Sequence, residues 1–438
     1  MKNFLLSVML FTMLCTSFAF AEIAKPTTYK CDDFYYILRE DGTAEITGYD
    51  RIAEELEIPA ELDGNRVTTI SSNAFSDPFE LTSITIPDSV IEIGENPFSE
   101  CPKLTDIRVS PDSPALAVID GVLFSKLDKR LVCYPCGLMR DSYEIPEGIR
   151  SIGSYAFCNN DYLTSITIPD TVIEIGKNPF SLCSDLTDIH VSPNSPMLAV
   201  IDGVLFSKYD KKLICYPCGF EKTAYEVPIG VRTIGSSAFS GCHNLVNITI
   251  PDSVIEIGDM AFLSCRNLDS ITIPDSVIKI GTCAFINCFN LVSIEISNNV
   301  TEIGEKTFDN CINLIDITIP DSVTKVGYRT FFRCVSLANV TLPDSMTTID
   351  PEAFAGCKSL TNVTIPDGVV EIGARAFGAC ENLTDVTIPD SVVEIGSGVF
   401  NGCGNLTITV GHDSPAEQFA AENDIRYIYP DSMDWLHD

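Results

Sequence analysis

Apolar residues recur along most of the chain in one fixed order. Aligned on Leu245, Leu268, Leu291, Leu314, Leu337, Leu360, Leu383 and Leu406, every step is 23 residues, and each unit reads close to L-x-x-I-T-I-P-D-S-V-x-x-I-G-x-x-A-F-x-x-C-x-x. The pattern also starts at Leu81, Leu104, Leu163 and Leu186, with a degenerate first copy near Leu56. A fixed period in the twenties marks stacked supersecondary units, none of which can bury its apolar face alone.

Spacing within a unit predicts its shape. Leu245, Ile248 and Ile250 match the L-x-x-L-x-L strand signature of a leucine-rich repeat. Pro251 ends the strand, since it has no amide to continue a ladder. Val254 and Ile257 then turn inward, Ala261 and Phe262 fill the interior, and Cys265 closes the turn. Gly258 recurs as Gly94, Gly153, Gly176, Gly235, Gly281, Gly304, Gly327, Gly373 and Gly396, which predicts a corner with positive φ. Asp350 stands there once, and Asp tolerates that region. Like residues should stack about 4.8 Å apart, as ladders of Leu, Ile, Phe and Cys. The predicted fold class is a repeat solenoid of leucine-rich-repeat type, with parallel β-strands on the concave face, β-hairpin insertions and capped ends.

The ends depart from the repeat. Tyr35–Leu38 and Ala44–Thr47 flank Asp41-Gly42, a hairpin signal for an N-terminal cap over residues 22–55. The solenoid runs over 56–410, and Ala416–Asn423, a short amphipathic stretch, followed by Ile425–Ile428 marks a C-terminal cap and tail over 411–438. A longer duplication overlies the repeat: Leu81–Gly137 returns as Leu163–Gly219, 82 residues later. Both copies carry an insertion, near 110–142 and 192–224, whose apolar alternating runs around Lys126-Leu127-Asp128-Lys129 predict a β-hairpin leaving the solenoid.

The first 21 residues read as a signal peptide: Lys2, an apolar Phe4–Leu14 and Ala19-Phe20-Ala21 before the cut. Cys15 does not fit a lipid-attachment site, because Leu14 precedes it where a small residue is wanted. A chain from Glu22 keeps 27 basic and 61 acidic side chains, a formal charge of −34. Such a polyanion repels nucleic acid and anionic lipid, so neither is an expected partner, and no membrane insertion is expected after the leader is removed.

The I-P-D-S-V-x-x-I-G-x-x-A-F-x-x-C string, the D-G-V-L-F-S-K insertion and the Ala416–Tyr427 terminus resemble the BspA-like leucine-rich-repeat proteins of bacterial surfaces, over Tyr35–Tyr427. The resemblance implies a secreted or surface-displayed adhesion or interaction protein, with host matrix proteins or other cells as targets. It carries over no ligand, because the shared residues are those of the core.

Candidate chemistry is sparse. Thr249, Thr272, Thr318, Thr341, Thr364 and Thr387 stack between inward Ile positions and face out from the strand, the surface that leucine-rich repeats commonly use for binding. Arg108, His190 and Glu295 interrupt that column and are the positions most open to a specific contact. Threonine is also simply a good exposed strand residue.

Ten cysteines, Cys101, Cys183, Cys242, Cys265, Cys288, Cys311, Cys334, Cys357, Cys380 and Cys403, form a ladder. Their parallel Cβ atoms about 4.8 Å apart suit buried free thiols better than disulfides, which in turn implies a reducing habitat. Cys133-x-x-Cys136 and Cys215-x-x-Cys218 lie at least three coils apart, roughly 14 Å along the stack, too far to share one zinc. A local disulfide within each pair stays open. Cys31, Cys158 and Cys283 lie off the ladder without an assigned partner.

The Asp column from Asp88 to Asp390 reads as turn chemistry, with calcium between coils as the alternative. His190, His243, His412 and His437 share no motif, and no phosphate loop or H-E-x-x-H is present. The expectation is a non-catalytic, cofactor-free, secreted monomer, possible display at the cell surface included. Its partner would be an extracellular protein or glycan, on host matrix or other cells, and the alternative is a structural or self-associating envelope protein.

Overall fold

The computed structural model describes residues 26–75, 80–99 and 101–430; the signal peptide read at 1–21 lies outside them. It is a parallel-strand β-solenoid of about 17 turns. Each regular coil has not one strand but two. In the coil that starts at Leu245 these are Asn247–Thr249 and Glu256–Ile257, and the next coil supplies Ser270–Ile273 and Lys279–Ile280, each parallel to its counterpart. Between the two strands the carbonyl of Pro251 accepts from the amide of Val254 at 3.0 Å, closing the Pro-Asp-Ser-Val turn. The serine of that turn ties coils together: Ser276 Oγ donates to the Val254 carbonyl at 2.6 Å and Ser391 Oγ to that of Val369 at 2.8 Å.

The core is a set of ladders. Phe239, Phe262, Phe285, Phe308, Phe331, Phe354, Phe377 and Phe400 stack with centroids 5.0–5.8 Å apart and ring planes within 3–14° of parallel. Centroid spacings above the strand repeat of about 4.8 Å mean that the rings stack at an offset, the arrangement their quadrupoles favour.

The recurrent glycine has a different reason from the one its sequence suggests. None of Gly258, Gly281, Gly304 or Gly396 has positive φ. A Cβ added to them would lie 2.7, 2.5, 2.4 and 2.3 Å from a backbone nitrogen of the preceding coil. Glycine is required there because two backbones approach closely. Left-handed backbone falls two residues later, at Met260 (φ 56°), Cys283 (58°) and Lys306 (54°). Asp350 is tolerated without positive φ.

The insertions do not leave the solenoid. Leu116–Ile119, Val122–Ser125 and Arg130–Cys133 form an antiparallel sheet, whose first turn is Asp120-Gly121 at φ 50° and 78°. Its third strand then pairs in parallel with Ser151–Ile152, and so belongs to the column of short strands. The copy at Leu198–Ile201, Val204–Ser207 and Lys212–Cys215 does the same against Thr233–Ile234. Alternate side chains of each sheet face opposite ways along the stack. Leu123, Val132 and Cys133 pack with Phe98 and Cys101 on one side, while Val122, Phe124, Leu131 and Tyr134 pack with Phe157 on the other. Both faces are apolar because both are buried, so each insertion is a partition across the core.

Each end is closed by elements outside the repeat; residues 22–25 and 431–438 of the predicted caps lie outside the described residues. Phe34–Leu38 pairs antiparallel with Ala44–Tyr49, joined by Thr28–Cys31, and Ala44–Tyr49 pairs in parallel with Asn65–Ile70, leading into the coils. At the other end the helix Pro415–Glu422 is capped by Ser414, whose hydroxyl accepts from the Glu417 amide, and Arg426–Ile428 extends the sheet from Thr407–Thr409. No helix among the described residues is long and apolar enough to cross a membrane.

Candidate functional site: the face of the long strands

The long strands carry every strand-face candidate, and all nine point outward. Arg108, His190, Thr249, Thr272, Glu295, Thr318, Thr341, Thr364 and Thr387 are exposed, each between two inward residues. Register aligns them across coils: Thr85 faces Arg108, Thr167 faces His190, Thr272 faces Glu295, Thr318 faces Thr341, and Thr364 faces Thr387, which faces Thr409. The two partitions break the column after Asp106–Val109 and after Asp188–Val191, and a third break, with no partition, falls after Asn339–Thr341. The column runs as three strands from Glu55–Glu57, three from Ser142–Glu144, six from Ala224–Glu226 to Asn339–Thr341, and four from Asn362–Thr364 to Arg426–Ile428.

Two features of this face are absent from the sequence reading. The first three sheets each begin with a carboxylate in the threonine column, at Glu57, Glu144 and Glu226, paired to Thr85, Thr167 and Thr249. The signal was Glu57-Ile58-Pro59, Glu144-Ile145-Pro146 and Glu226-Val227-Pro228, each standing where the regular coils read T-I-P. The second is a parallel outward row two residues earlier: Asn247, Ser270, Ser293, Asp316 and Asn339. Side chains two apart on a strand share a face, so this row doubles the width of the polar strip. Within it the Asn339 side-chain amide donates to the Asp316 carboxylate, and on the first sheet Arg108 pairs with Asp106 at 2.6 Å. The arrangement is a flat, regular array of hydroxyls, amides and carboxylates. Such an exposed array suits many shallow contacts.

The cysteines occupy a separate column inside. Cys265, Cys288, Cys311, Cys334, Cys357 and Cys380 each donate to the carbonyl of the phenylalanine 26 residues earlier, at 3.0–3.3 Å. Burial pushes the Cys265 thiol up to about 12, and the thiol of Cys288 well above its ordinary value. Cys242 departs from its predicted free state: it is disulfide-bonded to Cys218, with Cα atoms 4.2 Å apart. The parallel geometry expected between ladder neighbours does not apply, because Cys218 comes from the chain leaving the partition rather than from a regular coil. The earlier duplicate has Asn160 where the later one has Cys242, and there Cys136 donates to the Cys158 carbonyl at 3.2 Å. Neither C-x-x-C pair closes on itself. Among the described residues, no three His, Cys, Asp or Glu side chains gather into a group able to hold a metal ion.

Comparison with known proteins agrees with this architecture. The family model described as the BspA type leucine rich repeat region matches residues 53–129, 133–214, 211–338 and 326–414. Among solved structures, a leucine-rich repeat protein from Bacteroides ovatus is similar at 28% identity, covering 92% of this chain and 99% of the other with a TM-score of 0.50. One from Eubacterium ventriosum shares the fold at 24% identity, covering 86% and 95% with a TM-score of 0.54. No curated protein matches the chain significantly. Given two-strand coils, the phenylalanine and cysteine ladders, and a family match over most of its length, the chain belongs to the BspA-type leucine-rich-repeat family.

Proposed function

We propose that this is a secreted or cell-surface leucine-rich-repeat protein that binds an extracellular protein or glycan through its long-strand face and performs no catalysis. The observation that carries the proposal is the outward polar strip: paired columns of Thr, Asn, Ser, Asp and Glu held in fixed register from Ala224–Glu226 to Asn339–Thr341. None of these side chains is needed by the core, whose packing uses the alternate positions. Affinity would sum over many weak contacts along a pre-formed surface, which loses little entropy on binding. The leader-like residues 1–21 and the formal charge of −33 favour an extracellular setting and disfavour nucleic acid.

The test is retention on arrays of matrix proteins and glycans, beside a variant with Asp269→Lys, Glu295→Lys and Asp316→Lys. All three positions are exposed: Glu295 and Asp316 lie in the two columns of the strip, and Asp269 directly precedes the strand Ser270–Ile273. A partner held by the natural chain and lost by the variant supports the reading; no retained partner contradicts it.

A second reading, self-association, is favoured by two pairs of exposed aliphatic side chains before the short strands, with the threonines Thr301, Thr324 and Thr347 between the pairs. Ile255, Ile278, Val370 and Val393 are 37–62% exposed. Light scattering across concentrations separates the two: a strict monomer removes self-assembly, and a concentration-dependent mass supports it.

A further inference from the structure

Every coil between Met260 and Gly402 has two left-handed backbone positions four residues apart, such as Met260 (φ 56°) with Ser264 (57°) and Gly398 (63°) with Gly402 (87°). Any side chain with a Cβ is disfavoured there, Asn and Asp least, and Gly, which has none, is not. Basic side chains nevertheless fill four of these positions, Lys306 (54°), Arg329 (54°), Arg333 (56°) and Arg375 (55°), all within four successive coils. Two neighbouring corners read T-C-A-F-I-N-C at 282–288 and P-E-A-F-A-G-C at 351–357, without a basic side chain. At 328–334 the corner reads Y-R-T-F-F-R-C.

These substitutions organise one another. The Arg329 guanidinium lies 4.3 Å from the Phe332 ring centroid and 5.2 Å from that of Tyr328, and its Nε donates to Glu352 at 2.6 Å. Arg333 lies 5.2 Å from Phe332. Rings and carboxylate thus fix the guanidinium planes. Arg333 and Arg375 are exposed, and among the described residues neither has a carboxylate within 4.0 Å. They line an open groove of about 680 Å³ together with Asn310, Asn401 and two ion pairs, Arg329 with Glu352 at 2.6 Å and Lys358 with Glu381 at 2.7 Å, which leaves Arg333 and Arg375 as its excess positive charge.

We propose that this groove binds a short acidic oligosaccharide through a carboxylate or sulfate held by Arg333 and Arg375. Guanidinium groups match such oxyanions by paired hydrogen bonds. A volume within the range of about 300–1,000 Å³ for small-molecule sites far exceeds a single inorganic anion. The asparagine amides are hydrogen-bond partners for sugar hydroxyls. A chain of formal charge −33 repels long polyanions, which restricts the ligand to a short one. The groove lies on the third side of the coil, after the short strand, and is independent of the long-strand face.

Calorimetry with tri-galacturonate and a sulfated disaccharide tests this, beside maltotriose and sodium sulfate. At least one acidic probe should bind tenfold or more tightly than either control, and more weakly as salt is added. Arg333→Asn with Arg375→Asn should reduce that affinity at least tenfold while the melting temperature holds or rises, since Asn suits left-handed backbone better. The single variant Arg375→Asn, at an exposed position, gives the same reading if the double variant folds poorly. The Asp269, Glu295 and Asp316 reversals should leave the acidic sugar bound, so failure at one face is distinguishable from failure at the other. No binding of either acidic probe, equal binding of maltotriose or sulfate, or full binding by the arginine variants overturns the proposal.

Discussion

The thiol of Cys288 donates to the backbone carbonyl of Phe262 at 3.1 Å, reaching from one coil to the coil before it. Repeated along the stack, this contact gives a reason for cysteine beyond its size. The Phe262 carbonyl already accepts from the Cys265 amide at 3.1 Å, so the thiol supplies a second hydrogen bond to it, across coils, and is small enough to do so without disturbing the rings. Valine, somewhat bulkier, would fill the space but supply no donor. Cys288→Val should therefore lose about 0.5–1.5 kcal/mol, the net contribution of one hydrogen bond, since the carbonyl keeps its backbone donor. Cys288→Ser, which keeps a donor, should lose less. Urea denaturation of both variants checks this; equal losses would mean that the sulfur only fills space.

Thiol chemistry should follow burial. Burial raises the Cys265 and Cys215 thiols to about 12, so at neutral pH they are protonated as well as inaccessible. Cys31 and Cys403 are the partly exposed free thiols among the described residues. In the folded protein a thiol reagent should label those two first, and the buried ladder only at the rate of unfolding. Rapid labelling of Cys265, read by mass spectrometry, would contradict the packing.

Glycine substitutions separate close approach from backbone conformation. A Cβ at Gly281 would sit 2.5 Å from the Asp259 amide nitrogen, but at Gly327 the nearest atom is 3.5 Å away. Gly281→Ala should destabilise by at least the 1–3 kcal/mol or so typical of overpacking, and Gly327→Ala should be nearly neutral. Equal melting temperatures for the two variants would contradict the account.

Much of this architecture was legible in the sequence, and the exceptions have physical causes. The Ser270–Ile273 strands announce themselves because Ile271 and Ile273 alternate with polar residues. A two-residue strand such as Glu256–Ile257 has no alternation to read, and only its stacked neighbours make it a strand. Gly258 looks the same whether it serves positive φ or a close backbone contact, since both demand the missing Cβ. The runs Val122–Ser125 and Arg130–Cys133 predict a hairpin correctly, but their continuous apolar character marked burial on both faces, which a projecting hairpin would not have. The Cys218–Cys242 bond joins residues 24 apart from different structural contexts, and no periodicity relates them. On the candidate face the outward direction of Thr272 and Glu295 followed from period 2. The carboxylates Glu57, Glu144 and Glu226 were hidden because the coils beside the cap and the partitions depart from the repeat used to align them.

Asp309 links the basic corner to pH. Burial raises its carboxyl to about 6 against the opposing pull of Arg329, Lys306 and Arg333. The unfolded chain releases that proton near pH ~3.9, so between these values the folded state binds more protons. Its stabilising contribution is full below about pH 4 and is lost as pH rises through about 6. Chemical denaturation at pH 4, 5, 6 and 7 should show Asp309→Asn removing part of the decline in stability seen in the parent. Identical pH slopes for the two proteins would contradict this environment.

The central claim, that the long-strand face is the binding surface, is tested most directly by carboxyl footprinting of the chain with and without its captured partner. Labelling at Asp269, Glu295 and Asp316 should fall on binding, while Glu256 and Glu302 beside the short strands keep their reactivity. Unchanged labelling at all three strand-face carboxylates, with protection appearing at the caps, the partitions or the short strands instead, would contradict it.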